Sequence, residues 1–256
     1  MSNATATLPQ PLCDLGMIMP TVAEAKQLDE QGYVILPGIM SADTRRRIGT
    51  RLDELEGQVP VVDDLKNFQV EAGTARFANL IDQGPLFDQV WCNPRVLGCA
   101  WQVFQREFKQ SSLNAREPKA GQGHQPLHAD WGARDPSRPF EVVNSLWLID
   151  GYQSDNGATR LVPGTHLLPG GPRDAMTDPA AAHPDEIIVL APAGSVVVYN
   201  AHCWHGGTIN RSGARRRVVH SYYTARENAQ QQDQRRWLSA ETKARLNEAQ
   251  RWLLDV

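Results

Sequence analysis

The sequence predicts a mainly β protein, a sandwich or barrel, with helices before and after the sheet. Three observations carry this. Between about Ser111 and Ala225, short β-prone runs alternate with Gly, Pro, Asn and Asp, the pattern of many short strands joined by turns. Ahead of that stretch, apolar residues recur at helical spacing behind capping residues. Behind it, "SAETKARLNEAQRWLLD" (239–255) is again helical, starting at Ser239.

The elements follow in order. "MSNATATLPQPLC" opens a polar arm, expected to be loose over residues 1–20. "TVAEAKQLDEQG" (21–32) is a helix with Thr21 as N-cap and Gly32 as C-cap. "YVILPG" (33–38) is a short β run. "SADTRRRIGTRLDELEGQ" (41–58) places Ile48, Leu52 and Leu55 on one helical stripe, and "NPRVLGCAWQVFQREF" (93–108) does the same with Val96, Ala100, Val103 and Phe104. The strand candidates are "SSLNARE", "VVNSLWLID", "ATRLV", "EIIVLA", "SVVVYNA" and "RRVVHSYYT". Loops run from Gly151 to Gly157 and from Leu167 to Asp185, and the second is long enough to cover a pocket. No repeat and no long linker divides the chain, so residues 1–256 are expected to form a single domain with its β core over 110–225.

Composition narrows the class. The chain has 256 residues, 41% hydrophobic and 21% charged, with a formal net charge of -3. Without a basic excess, neither nucleic acid nor an anionic membrane is an expected partner. The longest apolar runs, such as "IIVLA", fall far short of the roughly 20 residues of a membrane span. The opening residues do not read as a secretory signal. Cys13, Cys92, Cys99 and Cys203 form no CxxC pair, which suits buried thiols in a reducing, cytoplasmic setting.

"HQPLHADWG" (124–132) sets His128 two residues before Asp130. On a strand, that spacing sends both side chains to one face. Two imidazoles and one carboxylate, with other positions open, suit a non-haem ferrous site. The second imidazole is sought among His166, His183, His202, His205 and His220. His205 is preferred because Arg216 follows eleven residues later, with His202 as runner-up. A strand carrying Arg216 inward also carries Val218, His220 and Tyr222 inward, and a guanidinium there can grip a dicarboxylate. Cys203 reads as a small core residue, and Arg215 and Arg217 as solvated turn charges.

Three blocks in this order resemble the phytanoyl-CoA dioxygenase-like family of Fe(II)/2-oxoglutarate oxygenases. They are "QPLHAD" (125–130), "SLWLIDGYQSDNGATRLVPGTH" (145–166) and "HGGTINRSGARR" (205–216). The resemblance implies a double-stranded β-helix, the cupin-like jelly roll, with helices at both ends. It implies that His128, Asp130 and His205 bind Fe(II), that Arg216 holds the distal carboxylate of 2-oxoglutarate, and that O2 is the oxidant. Thr159 and Gln125 are further expected contacts of the cosubstrate. Asn210 and Ser212 match the motif as turn formers, and His166 as a structural turn histidine.

Arg76, Trp131, His220 and Tyr222 are expected to line a pocket for a small-molecule substrate. Arg134 and Arg138 can meet an acidic one, although solvated loop charges are the commoner meaning. Related halogenases carry a small residue where Asp130 stands. The expected activity is therefore oxidation of an unactivated C–H bond by hydroxylation, desaturation, epoxidation or ring formation, in secondary or specialised metabolism. The alternative is a cupin-like metal-dependent isomerase or lyase, or a non-catalytic small-molecule-binding protein. Substrate identity and oligomeric state are not legible.

Overall fold

Among the described residues, nine antiparallel strands build two sheets that sandwich an apolar layer. The structure is a computed structural model that describes residues 7–56 and 71–256. The strands are β1 (Tyr33–Leu36), β2 (Thr74–Phe77), β3 (Phe108–Pro118), β4 (Val142–Leu148), β5 (Thr159–Val162), β6 (Ile187–Ile188), β7 (Val196–Asn200), β8 (Trp204–Gly207) and β9 (Val218–Ala225). One sheet has the order β1-β7-β4-β9-β3-β2, and the other β6-β5-β8. This is the expected mainly β, double-stranded β-helix class, but the described strands do not close into a barrel. β1 and β2 lie outside the expected 110–225 core and supply both edges of the large sheet.

Strand alternation sorts the two cores. Val143 and Trp147 of β4, Val196 and Val198 of β7, and Val219 and Tyr223 of β9 face the helices. Val142, Leu146, Val197, Tyr199, Val218 and Tyr222 face the other way and meet Leu161 of the small sheet and Val189 just after it. Polar residues on that second face therefore point between the sheets.

The helices start where side chains cap them. Thr21 and Glu24 form a reciprocal capping box ahead of Val22–Gln31, and Gly32 closes that helix at φ 79°. Ser41 caps Ala42–Leu55, and Asn93 caps Pro94–Phe104. The tail is not one helix: Leu246 is extended, and Asn247 with Gln250 forms a new capping box, so Ala240–Arg245 and Glu248–Leu254 are separate.

The loose arm is also corrected. Residues 1–6 lie outside the described residues, but Gln10–Asp14 is helical with Leu12 fully buried, and Leu8, Leu15 and Met17 pack on the same core. Apolar side chains at those positions anchor the segment. No helix among the described residues is long and apolar enough to cross a membrane. Cys99 and Cys203 are buried, while Cys13 is exposed and Cys92 half-buried.

Two features shape the ground around the cavity. The β3–β9 register shifts between Gln110 and Ser112. There Ser111 receives the N–H of Gln231 on its hydroxyl at 2.7 Å and that of Gln232 on its carbonyl at 3.2 Å. The segment 228–231 is thereby held against the sheet. Its Gln230 Nε2 also donates to Gln110 O at 2.7 Å and to Leu254 O at 2.9 Å. Next to Leu254, the Asp255 carboxylate gathers Lys109, Arg226 and Arg235 at 3.0, 3.4 and 3.0 Å.

Candidate active site

His128 and Asp130 sit on an extended segment rather than on the expected strand. It pairs with β8 through an isolated bridge, His128 to His205, and not through a continuous ladder. Pro126 has no N–H to extend a ladder, and the Asp130 N–H turns to Ala201 O at 2.9 Å. The bridge still brings the three side chains together. Their ligand atoms all lie within 4.8 Å of one another. Asp130 Oδ1 is 3.7 Å from His128 Nε2 and 3.4 Å from His205 Nε2. Cis ligands about 2.1 Å from a metal lie about 3 Å apart, so the cluster needs little adjustment to hold one ion.

The tautomers suit that task. His128 Nδ1 lies 2.9 Å from Pro126 O, and His205 Nδ1 lies 2.9 Å from Cys203 O. A carbonyl only accepts, so each Nδ1 carries the hydrogen and each Nε2 keeps a lone pair facing Asp130. Burial lowers the pKa of His128, and the His205 imidazole lowers it further. Burial alone would raise that of Asp130, but the His205 and His128 imidazoles and the Asn144 amide hold it below the usual carboxylate range. For His205, burial works downward and the adjoining Asp130 carboxylate upward, and the carboxylate prevails. An ionised Asp130 is what a divalent cation needs.

Arg216 is 1% exposed. Its guanidinium stands over the Tyr152 ring, 5.2 Å from the centroid, and one nitrogen donates to Tyr152 Oη at 3.4 Å. Its Nε and second terminal nitrogen have no hydrogen-bond partner among the described residues. Burial pushes its pKa down to about 10. A buried, underpartnered cation is costly, and an anionic ligand removes that cost. Thr159 Oγ1 donates to the same Tyr152 hydroxyl at 3.3 Å. Gln125 Oε1 accepts the Gly207 N–H at 3.1 Å.

His128, Asp130, His205, Arg216, Thr159 and Gln125 line one cavity of about 660 Å³. Arg76, Trp131, His220 and Tyr222 line it too. Trp131 is 40% exposed at the surface. Arg76 contacts Glu71 at 3.4 Å, and Glu71 is also gripped by Arg116 through two nitrogens. His220 Nε2 is buried with no partner among the described residues. Its pKa is driven well down by burial and then by Arg76, Arg116 and Arg216.

Other expectations fall elsewhere. Arg134 donates to His166 O and Arg138 O and lies 4.6 Å over the Phe140 ring, while Arg138 approaches Glu141 at 3.8 Å. Neither lines the cavity, so neither is placed to meet a substrate there. His202 accepts the Glu141 N–H at 3.1 Å and is not part of the cluster. His166 bonds Asp29 O and approaches Cys203 Sγ, a structural role. Asn210 joins Pro118 O and Ala214 O and receives Ser212 and Gly213, which fixes the turn.

The 167–185 loop is no cover either. Arg160 ties its Pro179, Ala180 and Ala181 carbonyls to Gln125 O, and the 228–231 segment walls the cavity instead. Sequence reading missed Asn144, Tyr152, Tyr199, Glu71 and this segment. Asn144 was the most findable, being an amide inside the apolar run "VVNSLWL".

A double-stranded β-helix whose mouth gathers two imidazoles and a carboxylate is the framework of a non-haem metal oxygenase. The phytanoyl-CoA dioxygenase (PhyH) family matches residues 28–218, and the chain belongs to that family. It is thus a dioxygenase of a family that uses Fe(II), 2-oxoglutarate and O2. Dioxygenase trt7 of Aspergillus terreus is 26% identical over 209 residues, covering 76% of this chain and 71% of its own. Dioxygenase aneA of Aspergillus aculeatus is 24% identical over 231 residues, covering 79% and 74%.

Among solved structures, HygX from Streptomyces hygroscopicus, with nickel and 2-oxoglutarate bound, superposes with a TM-score of 0.66 at 16% identity, over 83% of this chain and 90% of that one. The non-haem α-ketoglutarate-dependent carbocyclase SnoK, from nogalamycin biosynthesis, gives 0.63 at 17% identity, over 80% and 84%. At those identities the likeness is one of fold.

Proposed function

We propose that this protein oxidises an unactivated C–H bond of a small molecule, by hydroxylation, in secondary metabolism. The observation that carries the reading is the His128, Asp130 and His205 cluster beside a buried guanidinium with unused donors. In this reading His128 and His205 hold Fe(II) through Nε2, and Asp130 through Oδ1. Arg216 takes the distal carboxylate of 2-oxoglutarate, with the Thr159 hydroxyl beside it. Gln125, which lines the same cavity, would be a further contact of the cosubstrate. Bound iron and 2-oxoglutarate supply the oxidising power when O2 arrives.

The chain's own contribution is to orient and to exclude. Burial of Arg216 and His205 keeps water from competing with the cosubstrate. Asp130 occupies the position that a halide would need, which favours oxygen insertion over halogenation. Arg76, Trp131, His220 and Tyr222 shape the space left for substrate. We also take residues 1–256 as one domain, because strands from the first eighty residues complete both edges of the large sheet.

The test is anaerobic. Adding Fe(II) and 2-oxoglutarate to the wild-type protein should produce a weak visible absorption band and quench tryptophan fluorescence. His128→Ala, Asp130→Ala and His205→Ala should lose the band. A wild-type protein with no such response would instead be a cupin-like isomerase, lyase or binding protein. Oxygen-uptake screening of small metabolites then finds the substrate.

A further inference from the structure

Asn144 on β4 and Tyr199 on β7 are direct partners in the sheet. Their side chains meet on the face between the sheets, and both reach one atom. Asn144 Nδ2 donates to Asp130 Oδ2 at 3.2 Å, and Tyr199 Oη lies 3.2 Å from the same oxygen and 3.2 Å from His205 Nε2, so once a metal takes that nitrogen's lone pair its one hydrogen goes to Oδ2. Asn144 Nδ2 also donates to Tyr199 Oη at 3.0 Å. An ionised carboxylate only accepts, so the amide nitrogen must face it. The orientation of Asn144 is thereby determined, and both its hydrogens are committed. Tyr222 Oη adds a bond to the Asp130 backbone carbonyl at 3.1 Å.

The other carboxylate oxygen is left clear. Asp130 Oδ1, not Oδ2, is the atom nearest both histidine Nε2 atoms. Resting on the iron-site reading above, we propose that Asn144 and Tyr199 are positioning residues that occupy Asp130 Oδ2, so that the carboxylate meets the metal through Oδ1 alone. The consequence is a coordination count. Three protein donors leave three of six positions for 2-oxoglutarate and O2. A carboxylate free to rotate and chelate through both oxygens takes one of those three. The strut prevents that rotation from two neighbouring strands, and Tyr199 also braces His205, its ring 4.7 Å from the imidazole at a steep angle.

The experiment is an anaerobic Fe(II) titration with and without 2-oxoglutarate, on wild type, Tyr199→Phe, Asn144→Ala and the double variant. Tyr199→Phe keeps the ring against His205 and removes only the hydroxyl, so it remains informative even if Asn144→Ala folds poorly. Each single variant should weaken Fe(II) binding by about 10-fold or more, as loss of partners to metal ligands does, while the metal-free melting temperature of Tyr199→Phe stays near that of wild type. Since both groups serve one oxygen, the double variant should lose less than the product of the single losses. Wild-type Fe(II) affinity and an unaltered 2-oxoglutarate band in Tyr199→Phe and Asn144→Ala would overturn the proposal. A wild-type protein that binds no Fe(II) would instead overturn the iron-site reading itself.

Discussion

His128 and His205 exchange both backbone hydrogen bonds, each N–H reaching the other's carbonyl at 2.9 Å, and their imidazoles lie 4.4 Å apart. Further along, the Gln125 N–H reaches Gly207 O at 2.9 Å, and the Gly207 N–H returns to the Gln125 side-chain oxygen at 3.1 Å. Main-chain pairing therefore assembles two ligands before any metal arrives. The irregular segment 125–130 borrows its geometry from β8.

That pairing leaves no room for side chains on β8's glycines. A Cβ at Gly207 would come within 2.4 Å of Gly123 O, and one at Gly206 within 2.7 Å of Gln125 O. Gly207→Ala should push the 123–128 segment away and cost about 1–3 kcal/mol of stability. Denaturant unfolding should show the loss, and anaerobic titration should show weakened Fe(II) and 2-oxoglutarate binding together.

Arg216→Met should separate stability from binding. The substitution removes a buried cation with two nitrogens lacking partners, so the ligand-free protein should melt at the same temperature or higher. Its affinity for 2-oxoglutarate should fall by about 2–5 kcal/mol, the cost of truncating one partner of a buried charge pair. Thermal shift with and without 2-oxoglutarate checks both halves. A lower ligand-free melting temperature would show that Arg216 has structural partners of its own.

His202 gives a pH dependence that does not involve the metal. It is 2% exposed, its Nε2 accepts the Glu141 N–H, and burial lowers its pKa from 6.5 to about 4. Between those values the unfolded chain takes up a proton that the native state refuses, so its contribution to stability falls as pH falls. From pH 7 to pH 5 this should cost on the order of 2 kcal/mol. His202→Gln should remove that part of the slope, read as urea midpoints at pH 7, 6 and 5. Equal slopes in the two proteins would refute the assignment.

Ser111→Ala should loosen the wall opposite the ligands. The hydroxyl that receives the Gln231 N–H is lost, at about 1 kcal/mol. Amide exchange should quicken at residues 230–233, while Fe(II) and 2-oxoglutarate affinities stay unchanged. Altered cosubstrate affinity would mean that the wall and the metal site are coupled.

Much of this was legible in the chain itself. His128, Asp130, His205 and Arg216 could be read because each is a chemically distinctive side chain at a telling offset. Strands β4, β7 and β9 announced themselves as β-branched or aromatic runs, whereas β3, "FKQSSLNAREP", is polar and stood out only by lying between turn residues. β8, "WHGG", carries no such composition; its pairing, not its propensity, makes it a strand. Tyr152, Glu71 and Gln231 reach the site only through three-dimensional contacts with Arg216, Arg116 and Ser112. For Arg134 and Arg138 the commoner meaning, loop charges away from a substrate, stands: a charge near the motif in sequence need not lie near the cavity in space.

Gln230 hangs from the carbonyl of Leu254 and from β3 at once, so the final helix holds one side of the cavity in place. Drift in those last residues offers evolution a remote adjustment. A change there would shift that wall without touching His128, Asp130 or His205.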